Sequence, residues 1–127
     1  MGYKYEFTWL LRLPVDQLPE EPGQQYEEAE TGRILWRRSS GNIILGFSRE
    51  GMKLSYPVGM EVIIVNKSEV AIGIGKIVKS EIYQLPNGTI TTVVEFSLKR
   101  LFDDTEREII TRVINEMYGP EKRAQNN

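Results

Sequence analysis

The chain has 127 residues, 40% of them hydrophobic and 27% charged, with a formal net charge of −2; that is enough for one domain whose core folds without disulfides or metals. It contains no histidine and no cysteine, which excludes Ser-His-Asp triads, Cys-His dyads, thiol redox chemistry and Cys/His zinc sites, and leaves an enzyme only Asp, Glu, Lys, Tyr or hydroxyl chemistry. No apolar stretch approaches the roughly 20 residues of a membrane-spanning helix, and residues 1–6 lack the apolar run of a secretion signal, so a cytoplasmic protein with no membrane partner is expected.

Tyr3, Tyr5, Phe7, Trp9, Leu11 and Leu13 alternate with Lys4, Glu6, Thr8, Leu10 and Arg12. Period-two alternation predicts one strand with a buried face, ended by Pro14. Residues 14–30 hold Pro14, Pro19, Pro22 and Gly23 among Asp16, Glu20, Glu21, Glu27, Glu28 and Glu30, with no Lys or Arg. They read as a long acidic surface loop with a helical turn over 24–30. Residues 31–53 reverse the sign, with Arg33, Arg37, Arg38, Arg49 and Lys53 against Glu50 alone. Residues 31–38 and 42–47 form a hairpin around Ser39-Ser40-Gly41. A turn at Arg49-Glu50-Gly51, a short strand over 52–56 and a turn at Pro57-Val58-Gly59 follow.

Residues 60–65 and 70–82 form the next strand pair. Gly73 and Gly75 inside the second strand mark a bulge or sharp bend. They also spell Gly-x-Gly-Lys with Lys76, but Ile77-Val78 continue the strand where a phosphate loop needs a helix. Pro86-Asn87-Gly88 is a hairpin turn, and residues 89–98 alternate again. Asp103-Asp104-Thr105-Glu106 caps a helix over 104–118, so the carboxylates Asp103, Asp104, Glu106 and Glu108 serve its first turn rather than a metal. Ile109, Ile110, Val113, Ile114 and Met117 form its apolar stripe, Gly119-Pro120 stops it, and residues 120–127 are a polar, frayed tail. The sum is a mainly β fold in one domain over 1–127: a small antiparallel barrel of six to seven strands, with the C-terminal helix plugging an end or covering an edge.

The stretch Tyr56-Pro57-Val58-Gly59-Met60-Glu61-Val62-Ile63-Ile64-Val65, followed by Ala71-Ile72-Gly73-Ile74-Gly75-Lys76-Ile77-Val78, resembles the turn-glycine and bend-glycine rhythm of small barrels of the PUA and ASCH kind. It is equally similar to the second-domain barrel of translation GTPases. The resemblance covers about a quarter of the chain; it implies a barrel that binds RNA or a nucleotide-like ligand and carries over no functional residue. As a whole the chain looks like a member of a small bacterial family.

No catalytic set, metal site or cofactor emerges. Arg33, Trp36, Arg37, Arg38, Arg49 and Lys53 are the candidate nucleic-acid-binding residues: guanidinium forks suit phosphates and an indole ring suits a base. Alternation puts Trp36 and Arg38 on one face and Arg33 and Arg37 on the other. On this reading, alanine at both Arg37 and Arg38 weakens binding and leaves stability unchanged. The competing expectation buries Trp36 in the core and pairs the arginines with the acidic loop. Partners other than RNA remain open: the acidic and basic segments could pair with each other in a second copy or with another protein, and an enzyme built on carboxylates, Lys or Tyr is the third reading.

Overall fold

The structure is a computed structural model and describes residues 4–7, 9–28, 33–50, 52–84, 86 and 89–118; at 4–7, 27–28, 47–50, 52–55, 83, 89–90 and 118 it describes the backbone alone. These residues form β1 (Lys4–Phe7), β2 (Leu10–Arg12), β3 (Gln25–Glu28), β4 (Arg33–Arg37), β5 (Ile43–Glu50), β6 (Met52–Ser55), β7 (Glu61–Val65), β8 (Ala71–Gln84), β9 (Thr89–Leu101) and the helix α1 (Asp104–Tyr118). Seven strands make one sheet in the order β2-β7-β8-β9-β5-β4-β3, and β1 pairs with β6 apart from it. The large sheet curls into a half-barrel, so the fold is mainly β with one C-terminal helix, as the sequence predicts. The predicted hairpin turn residues Asn87 and Gly88, and the tail 120–127, lie outside the described residues.

Three elements differ from the sequence expectation, each because pairing between distant strands overrides a local pattern. The N-terminal alternating segment is two strands: β1 lies parallel to β6 in the small sheet, and β2 lies parallel to β7, which makes the large sheet mixed rather than wholly antiparallel. Alternation fails where the chain passes from one sheet to the other, and Trp9 stands 69% exposed. The expected helical turn at 24–30 is instead β3, antiparallel to β4 with Gln25 opposite Trp36. Finally, β5 runs through Arg49 and Glu50, predicted as a turn, because β9 is long enough to pair with both.

The inner face of the curl holds the main core, with Leu11, Leu35, Leu45, Ile64, Val94 and Phe96 among its fully buried side chains. Tyr56 joins it and donates its hydroxyl proton to the Leu10 carbonyl at 3.1 Å. The outer face carries a second, smaller core: Ile110 and Ile114 of α1 and the preceding Phe102 pack on Leu10, Val65 and Ala71 of β2, β7 and β8. The helix therefore covers the β2–β7–β8 side of the outer face. Its start is a reciprocal capping box, Glu106 N donating to Asp103 Oδ1 at 2.8 Å and Asp103 N to Glu106 Oε1 at 3.2 Å.

The curl needs the two predicted bend glycines. The β8–β9 register shifts between Ile74 and Gly75. A Cβ at Gly73 would lie 2.5 Å from the Arg100 carbonyl oxygen, and one at Gly75 would lie 2.9 Å from the Phe96 ring. Gly73→Ala forces backbone apart and should cost about 1–3 kcal/mol, the range for overpacking. Gly46→Ala is the matched control, since nothing lies within 4 Å of its added Cβ. Urea melts of the two variants check this; equal midpoints would show that the strands can part at Gly73 without loss.

Candidate ligand surface on the outer sheet face

Strand parity sorts the predicted basic cluster. Leu35 in the middle of β4 is fully buried on the inner face, so Arg33 and Arg37 share that face while Ile34, Trp36 and Arg38 point outward. The two inward arginines are engaged by backbone carbonyls. Arg33 Nη1 donates to Arg12 O of the far edge strand at 3.3 Å. Arg37 Nε donates to Pro19 O, and its Nη1 donates to Gly41 O at 3.1 Å. Pro19 belongs to the acidic loop, so this arginine does meet that loop, through a carbonyl rather than a carboxylate.

The loop is a strap rather than a free segment. Leu13 N donates to Val65 O at 2.8 Å, and Lys67 N to Val15 O at 3.0 Å. Asp16 accepts from Ser68 N and Oγ at 3.0 and 2.7 Å. At its other end Gly23 N donates to Arg37 O at 2.8 Å. The acidic and basic segments thus meet within one chain, as a strap and as the adjacent strands β3 and β4.

The outward residues form a different group. Trp36 stands opposite Ile44, Ile44 opposite Glu95, and Glu95 opposite Lys79, in one row across β4, β5, β9 and β8. Trp36 is half-buried on this face, outside the core. Glu95 accepts from Asn42 Nδ2 at 2.9 Å and from Arg38 Nη1 at 2.8 Å. The hydrogen bond donated by the Asn42 side-chain amide does most to hold the Glu95 carboxyl below its ordinary range; burial opposes this, and the Arg38 guanidinium adds to it. Lys79 pairs with Glu81 at 2.9 Å, and that hydrogen bond and charge raise the ammonium above its ordinary value.

Beyond this row toward α1 lie Lys76, exposed and opposite Ser97 and Glu61, Lys99, 3.3 Å from Glu61, and Arg100, 2.6 Å from Glu106. The structure thus brings Trp36 and Arg38 together with Lys76, Lys79, Lys99 and Arg100, and sends Arg33 and Arg37 elsewhere. Arg49 and Lys53 lie in β5 and β6, and their side chains are outside the described residues. Sequence reasoning missed the β8 and β9 cations. Their signal was the outward parity of two long strands, which needs the bulges at Ile74/Gly75 and Ile77/Lys79 to be read correctly.

Among the described residues no group of acidic side chains could hold a metal ion, and no helix is long and apolar enough to cross a membrane. A shallow groove of about 520 Å³ runs beside α1, lined by Val70, Arg107, Thr111 and Asn115 among others. Arg107 Nε is buried there without an acceptor. No family model matches the chain, and no curated protein does. Among solved structures, protein ytmB from Bacillus subtilis is similar at 17% sequence identity and a TM-score of 0.42, over 80% of this chain and 95% of that one.

Two outcomes follow from the parity of β4 and the setting of Glu95. Arg37→Ala leaves the Pro19 and Gly41 carbonyls without their donor and should lower stability by about 1–3 kcal/mol, with faster proteolysis in residues 14–24; a double Arg37/Arg38 variant is therefore not stability-neutral. Because the folded carboxyl of Glu95 sits lower than the unfolded one, the unfolded chain binds the extra proton between those two values. Its stabilisation is complete above the ordinary glutamate range and is lost as pH falls through the folded value. Glu95→Gln should flatten that part of the acid limb in urea melts, and an unaltered limb would show that Glu95 contributes nothing to it.

Proposed function

We propose that the protein is an RNA-binding module whose ligand surface is the outer sheet face, where Trp36 and Arg38 of the predicted set are joined by cations of β8 and β9. The observation that carries this reading is the co-location of Trp36 with Arg38, Lys76, Lys79, Lys99 and Arg100 on the part of the sheet that α1 leaves uncovered. A half-buried indole offers a stacking platform for a base, and cations along β8 and β9 offer phosphate contacts. Glu61, Glu81, Glu95 and Glu106 lie against these cations, so the field of the face is modest. The exposed pairs are worth little individually, and phosphate oxygens can replace Glu61, Glu81 and Glu106 as partners. Glu95 is different: nearly buried and held by Asn42, it stays in place and orients Arg38. The resemblance to RNA-binding barrels points the same way.

Fluorescence anisotropy with labelled single-stranded RNA tests this reading. Binding should weaken with salt, with a slope of about −0.7 per phosphate contact. Trp36→Ala should weaken it by about fivefold or more, the lower end of base–aromatic stacking. Lys76→Ala and Lys79→Ala should each reduce the salt slope. No binding at low salt, or binding indifferent to all three substitutions, would remove the outer face as an RNA site.

A further inference from the structure

One cation of the outer face is held differently from the others. Arg38 follows β4, and its backbone continues the ladder, Arg38 N donating to Asn42 O at 2.8 Å. The register therefore sets its Cα beside Asn42, two residues along from the row of Trp36, Ile44 and Glu95. The guanidinium leaves that position: Nη1 donates to Glu95 Oε1 at 2.8 Å. To do so it crosses β5 and enters the row that begins at Trp36. Strands about 4.8 Å apart put Trp36 and Glu95 roughly 10 Å from each other across Ile44. The half-exposed Arg38 gives one N–H to Glu95, and its remaining N–H groups have no acceptor among the described residues.

We infer that Arg38 reads a guanine base stacked on Trp36, so that the ligand is a single-stranded RNA with guanine at that position; this rests on the RNA reading of the outer face. Stacking on the indole needs an unpaired base. A two-ring base lying over Trp36 extends toward Ile44 and brings its edge to the guanidinium.

Charge separates a base edge from a phosphate as the acceptor. Glu95 is nearly buried and held by Asn42 Nδ2 at 2.9 Å, so a ligand does not displace it. Arg38 and Glu95 together carry no net charge. A phosphate brought to Arg38 would meet a fixed carboxylate, whereas a neutral acceptor is not repelled. The exposed carboxylates beside Lys79, Lys99 and Arg100 can move aside, which leaves the phosphates to those cations. Fork geometry then selects among the bases. Arginine offers donors alone, in one plane, and the bond to Glu95 fixes how that plane is turned. Guanine presents the acceptors O6 and N7 side by side, while adenine sets an amino donor next to its N7. The two carbonyls of uracil are separated by an N–H. Cytosine has adjacent O2 and N3, but its single ring covers less of the indole than a purine does.

Fluorescence anisotropy at low salt, with labelled uridine octamers carrying one central guanine, adenine or cytosine, tests the inference. The guanine strand should bind about fivefold tighter or more than the other two, the lower end of bidentate readout. Replacing that guanine by 7-deazaguanine, which lacks the N7 acceptor, should weaken binding by about threefold or more, as loss of one hydrogen bond does. Arg38→Ala and Arg38→Lys should each bring the guanine-to-adenine ratio close to one, since lysine keeps the charge without the fork. Circular dichroism melts establish that these variants are folded; where one is not, the 7-deazaguanine strand decides on the wild-type chain. Strands that bind equally and depend on Trp36 overturn the guanine reading and leave the RNA face standing. So does a guanine preference that survives both 7-deazaguanine and a folded Arg38→Lys variant. No binding of any strand overturns the guanine reading and the RNA face together.

Discussion

Strands β8 and β9 form the longest pairing in the sheet, and they approach so closely at Gly73 that a Cβ there would lie 2.5 Å from the Arg100 carbonyl oxygen. A flat pairing of that length would leave the inner apolar residues of β7 and β4 too far apart to share a core. The bend at Gly73 and Gly75 draws both halves of the sheet inward, so that Ile64, Leu35 and Phe96 meet in one cluster. A half-barrel, however, leaves two edges, β2 and β3, whose backbone groups need partners or cover. The strap over 13–24 answers that need. It is fastened to the β7–β8 turn by Asp16 and to β4 by Arg37, and Arg33 reaches across to the β2 edge at Arg12. The inward arginines of the basic segment are closure elements because the curl stops short of a closed barrel.

The same incomplete geometry shapes the outer face. A single helix of 15 residues cannot cover the convex side of seven strands. It shields β2, β7 and β8 near Ala71, where Thr111 accepts a hydrogen bond from the Ala71 amide at 2.9 Å. The remaining convex surface must be compatible with water, and charged residues on β8 and β9 supply that compatibility. Solvation alone explains alternating Lys and Glu; it does not explain a half-buried Trp36 in one row with a carboxylate, one strand beyond Ile44, that is held by both an amide and a guanidinium. That constellation is the reason for reading this region as a ligand surface.

The legible parts of the sequence were those decided by local chemistry. The capping box at Asp103 and Glu106 and the hairpin turn at Ser39-Ser40-Gly41 were readable because each depends on residues within a few positions of one another; the bend glycines were readable because glycine inside a strand is itself a mark, although the neighbours that require them, Arg100 and Phe96, lie on β9. Parity on β4 was readable too: the separation of Trp36 and Arg38 from Arg33 and Arg37 followed from alternation alone. The parallel pairing of β1 with β6 and of β2 with β7 was hidden, because partners about 50 residues apart leave no periodic mark. Trp9 was misplaced for the same reason. The cations of β8 and β9 could be assigned a face only once the bulges shifted the count by one residue at each site. Of the helix stripe, the sequence could tell that five residues were apolar but not which flank the sheet would take.

Register connects fold and site more tightly than composition does. Slipping β4 by one residue against β5 would turn Leu35 out and Trp36 in, and would exchange Arg37 with Arg38. The apolar row alone opposes such a slip only through Leu35, since Ile34 and Trp36 are also apolar. Polar bonds discriminate further: Arg37 reaches Pro19 and Gly41 only from the inner face, and Arg38 reaches Glu95 only from the outer one. Asn42, just before β5, strengthens this, because its side chain binds the same carboxylate as Arg38 while its carbonyl accepts from Arg38 N at 2.8 Å. The Arg38–Asn42–Glu95 group therefore specifies the hairpin register as well as shaping the surface beside Trp36. That dual role explains why a carboxylate is retained in a nearly buried position, where a hydrophobic residue of similar volume would offer no discrimination between the two registers.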